Sequence, residues 1–156
     1  MSDELQVQIK GLMPTPSGCG VFLGNGKHGG KIIAIFVDHH VAAAITMFLK
    51  GVEKPRPLTH DLITHIFAGL DARLEKVLIN DLKNDTYYAR LYITQENELG
   101  RNVVEIDARP SDSMALALQQ HAPIFVKASV WERAEDMAWA LEESSGDEDG
   151  DEDVEE

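Results

Sequence analysis

The chain has a single cysteine, few aromatic residues and no long apolar run. With Cys19 alone, neither an internal disulfide nor a metal cluster built from several cysteines can form within one chain. No apolar stretch approaches the length that crosses a bilayer, and the first residues lack the basic and apolar segments of a secretory leader. We therefore expect a soluble, cytoplasmic protein with no membrane partner.

The familiar catalytic and cofactor motifs are also absent. The sequence has no G-x-S-x-G, H-E-x-x-H, Walker loop or zinc knuckle. The glycines of G-N-G-K-H-G-G, residues 24–30, have the spacing of a dinucleotide fingerprint, but a strand-like run follows them, whereas a bound pyrophosphate requires a helix there. We interpret this loop as a hairpin connection with an Asn-Gly turn, and we expect no organic cofactor.

Basic residues are missing from the end of the chain. Residues 142–156 hold ten of the 27 acidic residues and no Lys or Arg, which leaves 17 acids against 14 bases in residues 1–141. A segment this charged and this poor in apolar side chains does not bury enough surface to fold. We predict one domain over residues 1–141 and a disordered acidic tail over residues 142–156, which aids solubility, binds a partner or mimics a nucleic acid.

The apolar periodicity predicts an α+β fold. Strand patterns lie near residues 5–9, 21–23, 32–37, 74–81, 86–94, 102–108 and 123–126. Helical patterns lie near residues 39–50 with Asp38 as N-cap, near residues 59–70 with Thr59 as N-cap, after Pro110, and near residues 129–141. Because the strands are grouped and no regular βαβ repeat occurs, we predict a mixed, mostly antiparallel sheet with about four helices packed against it.

Two predicted helix starts share a set of polar residues. R-P-L-T-H-D-L-I at 56–63 and R-P-S-D-S-M-A-L at 109–116 each contain Arg-Pro, then a hydroxyl, then an aspartate in the first turn. Capping and the helix dipole account for the hydroxyls and the aspartates. They do not account for His60, which can act as an acid or a base near neutral pH, or for the arginines, which can hold a phosphate.

The strand before the second of these helices adds two carboxylates. Glu105, Asp107 and Arg109 alternate along the same face of that strand and emerge together at its end. With Asp112 they could supply oxygen ligands to Mg²⁺ or Mn²⁺. Acids, a histidine and an arginine near helix starts suit phosphodiester hydrolysis, but the spacing alone does not say whether the two helix starts meet.

A tyrosine and arginine stripe offers a second possible contact with nucleic acid. In T-Y-Y-A-R-L-Y-I-T, Tyr88, Arg90 and Tyr92 share the face opposite the predicted core face. Such a stripe could stack bases, and an ordinary solvent or oligomer face is the alternative.

Several motifs taken together resemble the bifunctional nuclease domain family. They are P-R-P-L-T-H-D-L at 55–62, V-x-I-x-D-L with T-Y-Y-A-R-L at 77–91, and I-D-A-R-P-S-D-S-M-A-L-A-L at 106–118 followed by A-P-I-F-V. The resemblance implies an α+β domain that self-associates, and some members of the family are reported to degrade both DNA and RNA. The chain departs from the family pattern at Asp38, where glycine is usual, at Val41, where glutamate is usual, and at Gln119, where arginine is common.

We predict a site from the residues that fit both the chemistry and the family pattern. The predicted catalytic residues are His60, Asp61, Asp107 and Asp112. Arg56, Arg109 and Ser111 are predicted to bind substrate, and Glu105 with Asp107 is the predicted pair for Mg²⁺ or Mn²⁺.

Two functions fit these features. The first is a nuclease, a hydrolase that cleaves phosphodiester bonds of DNA and RNA with possible help from a divalent metal. The second is a non-enzymatic, homo-oligomeric binding or regulatory module in which the Arg and Asp cluster is structural. The sequence favours the nuclease, although a body charge of -3 lacks the basic surface typical of proteins that bind nucleic acid.

Overall fold

The computed structural model describes residues 3–26 and 30–143. Seven strands form a single sheet in the order β3-β2-β1-β7-β4-β5-β6. The strands are β1 (Glu4–Thr15), β2 (Gly18–Gly24), β3 (Ile32–Asp38), β4 (Ala72–Lys83), β5 (Thr86–Asn97), β6 (Gly100–Ala108) and β7 (Ile124–Lys127). The helices are α1 (His39–Leu49), α2 (Thr59–Gly69), α3 (Pro110–Gln120), α4 (Ala128–Arg133) and α5 (138–143).

The strand pairing confirms the predicted fold class. Within the described part of the chain, β4 and β7 form the one parallel pair, and the other five pairs are antiparallel. β2 and β3 pair from Gly18↔Asp38 to Gly24↔Ile32, so the glycine-rich segment between them connects a hairpin, as predicted. The tip of that connection, residues 27–29, lies outside the described residues.

Strand β1 joins two halves of the sheet. Its first residues pair with β7, with Leu5 opposite Val126, and its later residues pair with β2, with Met13 opposite Gly20. The register shifts between Ile9 and Gly11, within the part of β1 that pairs with β2. A bulge of this kind bends a strand, so a single strand can serve both halves.

Helix α3 lies at the centre of the core. It packs against α1, α2, β3, β4 and β5, which explains why its sequence is apolar on nearly every side. Met114, Leu116 and Ala117 are buried there, and Ser113 satisfies its hydroxyl by donating to the Arg109 carbonyl oxygen at 2.8 Å. The position of α3 fixes the direction in which its first turn, with Arg109 and Asp112, meets the neighbouring helices.

Two details of the helix prediction are wrong, and the apolar residues of α2 are only partly covered. Helix α2 begins with Leu58 as N-cap, and the Asp61 carboxylate, not the Thr59 hydroxyl, accepts the cap hydrogen bond from the Leu58 amide at 2.8 Å. The helix predicted near residues 129–141 is interrupted after Arg133, and α5 follows on the outer face of β2 and β3. The apolar residues of α2 divide between two faces: Ile63 and Phe67 pack on the core, whereas Leu62, Ile66 and Leu70 are exposed.

Two further predictions concern the acidic tail and the membrane. The acidic tail predicted for residues 142–156 lies, from residue 144 onward, outside the described residues. Among the described residues, no helix has the length and apolar character needed to cross a membrane.

Candidate functional site

The first turns of three helices meet at one place. Asp38 caps α1 by accepting a hydrogen bond from the Val41 amide at 3.0 Å. His60 belongs to the first turn of α2, and Arg109 is the N-cap residue of α3. The first turn of a helix carries amide groups that have no partner within the helix, and it is the positive end of the helix dipole. The place where three first turns meet therefore favours negative charge.

Four side chains form a continuous chain of contacts across these helix starts. His60 Nε2 lies 3.0 Å from Asp112 Oδ1, and Arg109 Nε donates to Asp112 Oδ2 at 3.0 Å. Arg109 Nη1 reaches Asp38 Oδ2 at 3.4 Å. The two Arg-Pro segments recognised in the sequence therefore touch through His60 and Asp112.

The exposure of these side chains increases from His60 through Asp112 to Arg109. The His60 side chain is 11% exposed, that of Asp112 33% and that of Arg109 64%. An approaching ligand would therefore meet the Arg109 guanidinium before it meets the imidazole. Arg109 retains donors for such a ligand, because only two of its five N–H groups are used in these contacts.

The charged groups among these four contacting side chains stabilise one another. The hydrogen bond and the charge of Asp112 raise the pKa of Arg109 above its usual value, with a smaller contribution from Asp38. The Val41 amide lowers the pKa of Asp38, and Arg109 lowers it further against the opposing effect of burial. Asp38 and Arg109 are thus held in their charged forms at neutral pH.

Asp61 has a different set of partners, although it follows His60 directly. Its carboxylate contacts Lys54 Nζ at 2.8 Å, accepts from the Leu58 amide at 2.8 Å and accepts from Gln119 Nε2 at 2.9 Å. Burial raises the pKa of Asp61, but the Lys54 hydrogen bond and the Leu58 amide outweigh it, so the pKa is lowered overall. These contacts hold the start of α2 against α3 and occupy the oxygens of Asp61.

The side-chain amides of Gln119 and Gln120 extend these hydrogen bonds from Asp61 to the first strand after α2. Thr64 donates to Gln119 Oε1 at 2.9 Å, and Gln120 Oε1 accepts from the Leu74 amide at 3.1 Å. Helix α2 is therefore tied to the end of α3, and α3 is tied to the start of β4. Gln119 contributes two of these hydrogen bonds.

Glu105 and Asp107 lie away from the four-residue chain. In the pairing of β5 with β6, Tyr92 is opposite Glu105 and Arg90 is opposite Asp107, on the sheet face turned away from α2 and α3. Glu105 accepts from Arg90 Nη1 at 3.3 Å. Across residues 3–26 and 30–143, no three His, Cys, Asp or Glu side chains are grouped so that they could hold a metal.

The remaining predicted residues fall in two different places. Arg56 is exposed in the loop between α1 and α2, and none of the described contacts joins it to the chain from His60 to Asp38. Ser111 is buried, and with Arg109 it lines a cavity of about 420 Å³. The structure thus brings together His60, Asp112, Arg109 and Ser111 but not Arg56, Glu105 or Asp107.

Sequence reasoning did not select Asp38, Lys54 or Gln119 for the site. Asp38 was recognised only as a helix cap, and its second carboxylate oxygen turns out to face Arg109. Its sequence signal was an acid directly before a helix, which gives no indication of a distant arginine. Lys54 and Gln119 had no local signal at all, since their partner Asp61 is reached through the tertiary fold.

The fold and these contacts define an α+β domain with a histidine, carboxylate and arginine site at converging helix starts. The model of the bifunctional nuclease domain matches residues 21–138, and the chain belongs to this family. It is also similar to proteins of two strains of Mycobacterium tuberculosis, each described as an uncharacterized protein. Both are 37% identical over 130 residues, a match that covers 83% of this chain and 75% of the relative.

Proposed function

We propose that this protein is a nuclease that hydrolyses phosphodiester bonds of DNA and RNA. Membership of the bifunctional nuclease domain family supports a nuclease-like function. The observation that carries the proposal is the contact of His60 with Asp112, because it joins the two helix starts and brings a candidate proton-transfer group near Arg109, a candidate phosphate ligand. The capping of the two helices would require neither the His60 imidazole nor the Arg109 guanidinium.

The hydrogen bonds suggest a role for each side chain. A carboxylate can only accept a hydrogen bond, so His60 Nε2 carries the proton shared with Asp112, and Nδ1 is left as the basic nitrogen. Nδ1 would take a proton from the attacking water, and Asp112 would stabilise the imidazolium that results. Arg109 would hold the phosphate and offset the charge that develops on its oxygens, aided by the amides of the helix starts.

A divalent metal is a further part of the proposal. The carboxylates of Glu105 and Asp107 are suitable ligands for Mg²⁺ or Mn²⁺, which often bind to one or two carboxylates and otherwise to water and phosphate. Because these carboxylates lie on the sheet face opposite Arg109, an ion bound to them would not reach the phosphate held by Arg109. Because Glu105 is already paired with Arg90, the metal would have to compete with that guanidinium. No step assigned to His60 or Arg109 depends on this ion.

Cleavage of labelled single-stranded DNA and RNA tests the proposal. The reactions contain Mg²⁺, Mn²⁺ or EDTA, and they compare wild type with His60→Ala, Asp112→Asn and Asp107→Asn. The loss of a proton-transfer group should lower the rate of the His60→Ala variant by about 10²–10⁴-fold. His65→Ala is the matched control, since His65 is an exposed histidine on the same helix. Cleavage that survives both His60→Ala and Asp112→Asn would assign the activity to a contaminant.

A second candidate function is a homo-oligomeric binding module, and the surface around α2 and β6 favours it. Four residues spaced by four along α2 and its two caps, with 43–57% exposure, form an uncovered stripe: Leu58, Leu62, Ile66 and Leu70. Val104 and Ile106 of β6 are 44% and 42% exposed, and they point to the same side of the sheet as α2. In the part of the chain that the structure describes, β6 is also an edge strand with one neighbour.

The occupant that best fits this edge is a second copy of the chain. If β6 pairs antiparallel with its copy about Val104, each Arg101 lies opposite an Asp107, so both ends of the pairing are joined by opposite charges. We expect a dimer by light scattering, a monomer for Arg101→Glu, and a restored dimer for Arg101→Glu with Asp107→Arg. A wild type that remains monomeric at tens of micromolar would refute this interface.

A further inference from the structure

A cavity beside Arg109 has the volume and lining of a small-ligand site. It measures about 420 Å³ and lies between β3 and the two-residue turn that joins β4 to β5. Its wall includes Phe36 from β3, Thr86 and Tyr87 from β5, Arg109 and Ser111 from the start of α3, and the carboxylates of Asp38, which is paired with Arg109, and Asp85. Ligand sites are typically of about 300–1,000 Å³, mostly apolar, with a few polar groups that fix orientation.

The main chain of β3 directs hydrogen-bonding groups into this cavity. The Ile32 amide donates to Asp136 and the Ile32 carbonyl accepts from Met137, both on the side away from β2. Main-chain groups of an antiparallel strand alternate in direction, so Ala34 and Phe36 point the same way as Ile32. Among the described residues, β3 has a strand neighbour only in β2, and its other edge therefore offers donors and acceptors to a ligand at Ala34 and Phe36.

Two aromatic residues stand on the walls of the cavity. Phe36 is 61% exposed on the wall of this groove, and an exposed aromatic ring of this size marks a possible contact surface. Tyr87 is half-buried on the facing strand. Burial raises the pKa of Tyr87, with help from Asp85 and Glu135, so its phenol stays neutral and can donate a hydrogen bond.

These features together match the parts of a nucleotide. Arg109 joins the cavity to the chain of contacts from His60 to Asp38 and suits a phosphate. Aromatic rings suit the face of a base, and an exposed strand edge suits the donors and acceptors on its rim. A sugar or a free phosphate would use the guanidinium but would leave Phe36 and the strand edge unused.

We propose that the cavity binds the base of an unstacked nucleotide whose phosphate contacts Arg109, with the base against Phe36. The inference rests on the proposed nuclease function and adds to it, because a base inside a duplex cannot enter such a groove without leaving the stack. The substrate class is therefore single-stranded DNA and RNA. Recognition of a base face and of main-chain groups also explains how one site would accept both sugars.

Binding of small ligands to the full-length chain tests this site without turnover. Adenosine 5′-monophosphate, ribose 5-phosphate and inorganic phosphate are titrated by calorimetry or NMR. We expect the nucleotide to bind about five- to a hundredfold more tightly than ribose 5-phosphate, the range given by stacking of one base. Phe36→Ala should remove that advantage and leave the affinity for ribose 5-phosphate unchanged. Arg109→Gln should weaken all three ligands.

Tyr88→Ala is the matched control for the aromatic contact. Tyr88 is 41% exposed, follows Tyr87 on β5 and does not line the cavity. A loss of nucleotide affinity in Tyr88→Ala but not in Phe36→Ala would move the base to the Tyr88, Arg90 and Tyr92 stripe and overturn the proposal. Equal affinity of wild type for the nucleotide and ribose 5-phosphate would also overturn it.

The two proposals can fail separately. If the nucleotide binds through Phe36 but no cleavage depends on His60, the base site stands and the nuclease function falls. If cleavage depends on His60 but the nucleotide binds no better than ribose 5-phosphate, the nuclease function stands and the base site falls. Cleavage of duplex as fast as of single strands would count against the base site as well.

Discussion

A double-mutant cycle on His60 and Asp112 measures how strongly the two helix starts are joined. A hydrogen bond to a charged group contributes about 1.5–3 kcal/mol, and partial exposure of Asp112 lowers the expectation to about 1–2 kcal/mol. We expect His60→Ala and Asp112→Ala each to destabilise the protein. The double variant should cost less than the sum of the two, by about 1–2 kcal/mol.

Urea unfolding followed by circular dichroism gives the four free energies at pH 7. With a slope of about 1–3 kcal/mol per molar urea, a change of about 1.5 kcal/mol moves the midpoint by about 0.5–1.5 M, which is readily measured. The control is a second cycle on Arg90 and Glu105, a pair 3.3 Å apart in which both side chains are about half exposed. That pair should show a coupling below about 0.5 kcal/mol. A coupling for His60 and Asp112 no larger than the control would refute the role assigned to this contact.

Three further changes have expected outcomes. Because the pKa of Asp61 is lowered in the folded protein, its contribution to stability is present above the unfolded pKa of about 4 and lost as pH falls through the folded pKa. Asp61→Asn should therefore reduce the loss of stability between pH 7 and pH 3, as measured by urea midpoints. A methyl group at Gly18 would overlap the Val37 carbonyl oxygen, so Gly18→Ala should cost about 1–3 kcal/mol in the same assay. Gly69 has open space around it in α2, so Gly69→Ala should instead stabilise the protein by about 0.5–1 kcal/mol.

The fold was predictable because its signals are local. Alternating apolar residues located the strands, and Asp38 and Pro110 marked two helix starts that the structure confirms. The start of α2 was predicted with the wrong cap, because Thr59 and Asp61 both follow the usual pattern and only the folded geometry selects Asp61. The exposure of Leu62, Ile66 and Leu70 could not be foreseen either, since periodicity reveals which residues share a face but not whether that face is covered.

The candidate site was predictable only in its separate parts. His60 and Asp112 were selected because their residue types exceed what capping needs, yet their contact depends on how α2 crosses α3. Asp107 was expected beside His60 because it stands two residues before Arg109. The change from strand to helix at Arg109 instead leaves Asp107 on the opposite face of the sheet. Contacts across a change of element are not encoded in spacing along the chain.

The position of β1 has a consequence for synthesis of the protein. Of the described strands, β1 is the first to leave the ribosome, whereas β7, which pairs with it at Leu5 and Val126, is the last to be made. The meander of β1, β2 and β3 can pair early, whereas the half of the sheet with β4, β5 and β6 stays separate from it until β7 arrives. Closure of the sheet therefore waits for nearly the whole chain, and the free edge of β1 is the surface most open to wrong pairing during that interval.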